Sequence, residues 1–348
     1  MRLTNYFKAF FSSEKAGGFI LLACTIFSLI ATNSVLQSGY LSIWHFNIAG
    51  HPLEYWINDG LMAIFFLLIG LELERELYDG ELSTVNNALL PILAAFGGMI
   101  VPAAIHAFFN KGTIFSAGAG IPMATDIAFA LGILSLLGNK VPASLKVFLT
   151  ALAVIDDLGA IGVIAVFYTQ TIVWINVLLA MGIYAILFIL NKRKVYSLWP
   201  YLTGGLIMWY CMLHSGIHAT ITGVLLAFVI PFGDRTKKSP SYTLQHFLHK
   251  PVAWFIIPVF ALANTAIVIH SNWTSIFQHH NELGIMAGLI VGKPIGILLF
   301  SILGVGVGIC ALPTDLKWKH ILGAGMLGGI GFTMSIFITL LAFNQEDT

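Results

Sequence analysis

Three aspartates and one lysine stand in stretches that otherwise carry almost only apolar side chains. Asp126 closes Ala124-Thr125-Asp126, Asp156 and Asp157 adjoin within 153–159, and Lys293 sits in Leu289-Ile290-Val291-Gly292-Lys293-Pro294. A charge at the centre of a bilayer costs roughly 2.5–3.5 kcal/mol even on lenient insertion scales, so four left unpaired would cost about 10 kcal/mol. These groups must therefore pair, take up protons or bind an ion. Adjacent helical residues point about 100° apart, so Asp156 and Asp157 do not readily share one partner. One can face Lys293 while the other faces a water-filled cleft. Two carboxylates so close resist joint ionisation, which is the condition for exchanging protons against a hard cation. Carboxylate, hydroxyl and carbonyl oxygens are the ligands that sodium and lithium prefer. The residues imply an ion site inside a membrane.

The elements that must position them are membrane spans. Of 348 residues 58% are hydrophobic and 9% charged, against roughly 25% charged in soluble domains. The mean hydropathy is +0.88. A soluble core does not absorb that much apolar surface, so the solvent is a bilayer. The net charge of +1 gives no footing to nucleic acid. Cys24, Cys211 and Cys310 lie far apart, which excludes a disulfide framework and a CxxC metal site. Arg2, Lys8 and Lys15 precede an apolar run from Ala16 to Ala31. It is long enough to span and lacks a cleavage signal, so it reads as a retained first span.

At about 20 apolar residues per span, eleven spans are predicted, at 14–35, 57–78, 88–109, 115–137, 143–169, 172–191, 197–213, 216–232, 251–269, 284–308 and 320–343. With the N-terminus cytoplasmic, 15 of the 17 Lys and Arg residues fall inside, Lys111 falls outside and Lys293 lies within a span. That asymmetry supports the orientation and puts Asn344 to Thr348 outside. In the first outside loop Tyr40, Ser42, Trp44 and Phe46 alternate with Leu41, Ile43, His45 and Asn47 before Ala49-Gly50. A short β-hairpin is predicted at about 36–55, with edges free to pair with a second copy in a homodimer. Gly233 to Lys250 reads as an inside loop, in which His246 and His249 would respond to pH.

Two spans are interrupted. Gly118, Gly120 and Pro122 precede Thr125-Asp126, and Gly323, Gly325, Gly328-Gly329 and Gly331 precede Phe332-Thr333-Met334. Unwound backbone at membrane depth is tolerated only around a cavity or within protein. Two such breaks in corresponding halves point to an inverted-repeat transporter. Opposed half-helix N-termini would offer positive partial charge to Asp126, and opposed C-termini negative partial charge to Lys293. The fold class is an all-α integral membrane protein, one polytopic domain over 1–348, and not an enzyme.

Six segments carry a resemblance. They are 70–76 (GLELERE), 124–130 (ATDIAFA), 155–160 (IDDLGA), 214–220 (HSGIHAT), 292–294 (GKP) and 329–335 (GIGFTMS). Together they resemble the NhaA family of sodium/proton antiporters, one of the inverted-repeat examples among transporters. The resemblance implies pH-regulated, electrogenic exchange of Na+ or Li+ against H+ by alternating access, in the bacterial inner membrane among its lipids and without a cofactor. It implies two interrupted helices crossing at mid-membrane. Asp157 would be the principal cation ligand and Asp156 its partner, pairing with Lys293 when no cation is bound. Thr125 and Asp126 would line the crossing. Glu72, Arg75 and Glu76, with His218, His246 and His249, would form a pH-responsive network at the cytoplasmic funnel.

Two departures matter. Gln245 stands where the family commonly has Glu before the two histidines, and Gln does not titrate. The family has twelve spans against the eleven placed here, which reads as a truncated sequence or a shortened branch. Two other readings compete. A sodium-coupled symporter of an organic solute uses the same broken-helix physics. An intramembrane aspartyl protease needs two membrane aspartates but has no use for Lys293.

Overall fold

The structure, a computed structural model, describes residues 5–80, 83, 85–137, 141–167, 172–232, 239–269 and 279–343. In chain order the elements begin with α1 (Asn5–Thr32), α2 (Gln37–Trp44), strands β1 (Asn47–Ile48) and β2 (His51–Pro52), and α3 (Leu53–Trp56). α4 (Met62–Asp79), α5 (Val85–Phe109), α6 (Ile127–Leu136), α7 (Ala143–Phe167), α8 (Trp174–Lys192), α9 (Trp199–Leu213) and α10 (Ile221–Ala227) follow. The last are α11 (Pro240–Pro251), α12 (Ile257–Asn264), α13 (His280–Ala287), α14 (Lys293–Gly306), α15 (Trp318–Gly328) and α16 (Phe332–Ala342).

Seven helical stretches among the described residues are long and apolar enough to cross a membrane, and the α15–α16 pair, bent by 49° at its break, makes an eighth. These correspond to eight of the eleven spans predicted. The other three, 14–35, 197–213 and 216–232, coincide with shorter apolar helices: the Gly17–Thr32 part of α1, the 15 residues of α9 and the 7 of α10. Hydropathy sums apolar residues whether or not they are helical, so a turn such as His214 to Thr220 lengthens the apparent span. The helices that do qualify leave large apolar side chains outward, as Leu178, Ile186 and Phe188 do on α8. That surface belongs in lipid.

Two expectations about loops are corrected. The alternating stretch from Tyr40 is helical, because Tyr40 and Trp44 stand one turn apart and bury their rings edge to face. The short β-hairpin expected at about 36–55 is present, its antiparallel pairing confined to Asn47–Ile48 with His51–Pro52. Likewise the polar stretch before Lys250 is not a loop from Ser239 onward. The Ser239 hydroxyl accepts from the Tyr242 N–H, and Pro240 takes the first helical position, where its missing donor is harmless. α11 therefore carries both His246 and His249.

Proline also shapes two continuous helices. Pro258 and Pro294 have no N–H for the carbonyls of Trp254 and Ile290, and each carbonyl lies in a π-helical turn, Val252–Ile256 or Gly288–Gly292. The second turn delivers the chain directly to Lys293.

Contacts group the chain into two compact units. The first comprises Met1–Ile20, Glu81–Ile164 and Ile269–Thr348, the second Leu21–Gly80 and Ala165–Val268. In the first, α5 and α14 meet at Gly97 and Gly296, where a Cβ on either would strike the other's carbonyl. Such close approach is how helices associate where lipid removes the hydrophobic drive. Leu149, Leu152, Ile297 and Ala324 pack the core around this contact. In the second unit Gly70 of α4 lies on Val224 and Ala227, and Gly223 of α10 lies on Ala63 and Leu67.

Candidate functional site: a buried ion pair between two helix breaks

α7 carries Asp156 and Asp157 through apolar surroundings, both buried with at most 1% exposure. Lys293, fully buried at the start of α14, places Nζ 2.7 Å from Asp156 Oδ2. Its ammonium also donates to the Met123 carbonyl. A charge removed from water needs partners for its hydrogens, and here one carboxylate and one freed backbone carbonyl supply them. Asp157 lies within electrostatic reach of the same ammonium. Asp156 Oδ1, in contrast, accepts no hydrogen bond among the described residues.

The freed carbonyl exists because the chain is interrupted. Residues Ile114–Met123 form a 3-10 helix containing Pro122, then Ala124 is extended, then α6 begins. The other break, Gly329 to Gly331, separates α15 from α16. The breaks are hydrogen-bonded to each other. The Asp126 N–H donates to the Ile330 carbonyl at 2.8 Å, and the Ser335 hydroxyl donates to the Ile121 carbonyl at 3.0 Å.

Asp126 serves two helix N-termini at once. Its Oδ1 accepts from the Phe129 N–H of α6 at 2.9 Å, and its Oδ2 accepts from the Thr333 N–H and hydroxyl at the start of α16. Both ends carry unsatisfied donors and positive partial charge, so a carboxylate there is held by backbone rather than by a cation. Thr125 has a choice. Its hydroxyl lies 2.7 Å from Asp156 Oδ2 and 2.9 Å from the Gly328 carbonyl. One hydroxyl proton serves one acceptor at a time. The oxygens of Asp156, Asp157 and Thr125 are hard ligands. No three His, Cys, Asp or Glu side chains converge among the described residues. That donor set suits a weakly held monovalent ion rather than a chelated one.

The residues assigned to a pH response lie in the second unit. Glu72, buried, accepts a hydrogen bond from the Gln245 amide. Arg75 pairs with its neighbour Glu76 at 2.9 Å. His249 is within electrostatic reach of Arg75 and His246, and the exposed His246 ring lies parallel to that of Tyr242. These residues belong together on α4 and α11, but His218 does not join them. Gly223 lies beside Ala63 and Gly70 beside Ala227, so α10 runs in the same direction as α4. His218, ahead of α10, therefore belongs to the Met62 end of α4, and Glu72 to the opposite end. Sequence reading that groups His218 with Glu72 ignores that shared direction.

Sequence reasoning overlooks several groups. Glu74 is buried and its Oε2 accepts from the Ser241 hydroxyl of α11 at 2.9 Å. Asn58 and Asn264 exchange amide hydrogen bonds in both directions. Asp59 beside Asn58 is half-buried near a span end. The signal for Glu74 was available: it is a second carboxylate in the apolar 62–79 run. The Met123 carbonyl carries no sequence signal.

Comparison with known proteins gives a family model, two close relatives and one solved fold. The family model described as Na+/H+ antiporter 1 matches residues 8–348. A Flavobacterium johnsoniae protein named Na(+)/H(+) antiporter NhaA 1 is 68% identical over 347 residues, covering 100% of this chain and 91% of the relative. A Flavobacterium psychrophilum protein named Na(+)/H(+) antiporter NhaA is 65% identical, covering 99% and 90%. Among solved structures, that of the sodium proton antiporter MjNhaP1 from Methanocaldococcus jannaschii matches with a TM-score of 0.52 at 15% identity, covering 98% of this chain and 100% of that one. At that identity the likeness concerns the fold alone.

Proposed function

Because this chain belongs to the Na+/H+ antiporter 1 family, we propose that it exchanges Na+ for H+ across the bacterial inner membrane as a single polytopic domain. The observation that carries this reading is the fully buried Lys293–Asp156 pair beside Asp157 and the two helix breaks. A buried pair of this kind is weak support for stability, because desolvation offsets attraction. It is suited to exchange. A cation arriving at Asp157 and Asp156 takes over the role of the ammonium as counter-charge. Lys293 then keeps the Met123 carbonyl or gives up a proton. When the cation leaves, proton uptake restores the pair. Thr125 turns its hydroxyl to Gly328 while its oxygen lone pairs face the ion. Asp126 stays ionised between its two helix N-termini and holds the breaks in register.

In this reading Asp157 is the principal ligand and Asp156 the exchangeable partner. The interrupted helices cross at mid-membrane among eleven spans, with the N-terminus cytoplasmic. Glu72, Arg75, Glu76, His246 and His249 tune the response to pH. Lithium replaces sodium, exchange moves net charge, and access alternates. Everted membrane vesicles containing the protein test the reading: adding Na+ or Li+ to a respiration-generated proton gradient should release protons, and in a pH series the release should depend on pH. Absence of sodium-dependent proton movement at every pH would overturn it. The symporter alternative would show proton movement only with an organic solute present.

A further inference from the structure

A buried histidine lies at the junction of α5 and α13, away from the carboxylates just described. His106 on α5 and Asn110, the first residue after it, are both fully buried. His106 Nε2 lies 3.0 Å from Asn281 Oδ1 and 3.3 Å from Asn110 Nδ2. The amide of Asn110 has two hydrogens, and they are directed to the carbonyls of His106 at 3.1 Å and His280 at 3.3 Å. Nothing remains for it to donate to Nε2. With Asn281 presenting Oδ1 to it, the neutral imidazole carries its hydrogen on Nε2 and donates it there, which leaves Nδ1 with a bare lone pair.

That Nδ1 is buried and has no hydrogen-bond partner among the described residues; the same is true of Asn110 Oδ1 and of Glu282 Oε2, next in the chain to Asn281. All three are acceptors, and buried polar atoms are almost always satisfied. We propose that His106 is the proton-binding residue of a second site at the α5–α13 junction, its ligand a proton taken up at Nδ1. From Asn281 to Lys293 the chain rises about 18 Å at helical pitch, so the site is distinct from the Asp156–Lys293 pair.

The ionisable surroundings are few. α13 contributes Glu282 and His280, the latter exposed. α5 holds no other titratable residue, and neither the Ile114–Met123 segment nor α16 holds any; Lys111 follows α5. The site is nevertheless joined to the exchange machinery. A Cβ on Gly118 would meet His106 Cε1 at 3.2 Å. Gly118 lies in the 3-10 segment that ends at Met123, whose carbonyl receives Lys293. Charging the ring places a cation against that segment and turns Nδ1 from acceptor to donor. The predicted topology puts this end of α5 on the side opposite the cytoplasm, so the proton would come from outside.

The inference rests on the antiport reading only for its functional consequence. The purified protein labelled with 15N-histidine is titrated by NMR, and His106→Gln, which keeps a donor for Asn281, identifies the His106 signals. The expected result is an Nε2–H neutral ring at alkaline pH that gains a second ring proton on acidification. In proteoliposomes His106→Gln should displace the dependence of exchange on the pH of that one side. Asn281→Asp, with a carboxylate at Nε2, should move the ring's titration to higher pH and serves should His106→Gln not fold. A ring that stays neutral throughout the range where the protein is folded, or one-sided pH profiles identical in wild type and His106→Gln, would overturn the proposal. Loss of exchange in the wild type itself would instead count against antiport and leave the NMR result to stand on its own.

Discussion

Two regions bury carboxylates, and they do it differently. In the first unit backbone groups hold Asp126 and Lys293: the Phe129 and Thr333 N–H groups and the Met123 carbonyl, while Asp156 is held by the Lys293 ammonium and the Thr125 hydroxyl. Those backbone groups are free only because two helices are interrupted. In the second unit Glu72 and Glu74 sit on the uninterrupted α4, and their partners are the side chains of Gln245 and Ser241. An unbroken helix has no spare backbone groups away from its ends. The difference teaches which region can host an ion. Broken helices present fixed dipoles and carbonyls that can replace a hydration shell; in the function proposed above, the side-chain partners on the intact helices follow protonation and tune exchange.

The largest expected effect lies in the first region. Asp157→Asn should reduce sodium-dependent exchange in vesicles to background and remove cation binding measured by calorimetry. Near-normal transport in that variant would take Asp157 out of the role and blur the contrast between the regions. Next comes Lys293→Ala, which leaves Asp156 buried without its cation. Removing one member of a buried pair typically costs about 3–5 kcal/mol, unless the carboxylate takes up a proton. Thermal unfolding in detergent should therefore show a destabilisation that lessens as pH falls and Asp156 neutralises. A loss of stability independent of pH would mean that the lysine stem packs but its charge does not pair. The smallest effect is expected in the second region. Gln245→Glu places a titratable group beside Glu72, and two neighbouring carboxylates resist joint ionisation. The pH profile of exchange should shift by a fraction of a unit with maximal rate retained. An unchanged profile would show that position 245 lies outside the pH response.

Much of the site was legible before any coordinates. Asp126, Asp156, Asp157 and Lys293 stand out because charge in an apolar run is expensive, and that cost is a property of residue type. The breaks at 118–122 and 323–331 were equally readable, since glycine and proline act through local backbone. Where reading failed, the information was not local. The Tyr40–Trp44 alternation serves a strand or a helix equally well until ring packing decides. His218 was grouped with Glu72 although the common direction of α4 and α10 separates them, and that direction is set by glycine contacts between distant segments.

Composition, the four costly charges and the interrupted spans were thus determined by sequence alone, because each follows from what a side chain or backbone does in lipid. Only the tertiary structure decided that Lys293 holds Asp156 Oδ2 together with the Met123 carbonyl, that Asp126 joins two helix N-termini, and that His106 keeps a bare Nδ1. Those outcomes depend on which backbone atoms are left free and which elements are packed against them, and the order of residues along a chain does not specify either.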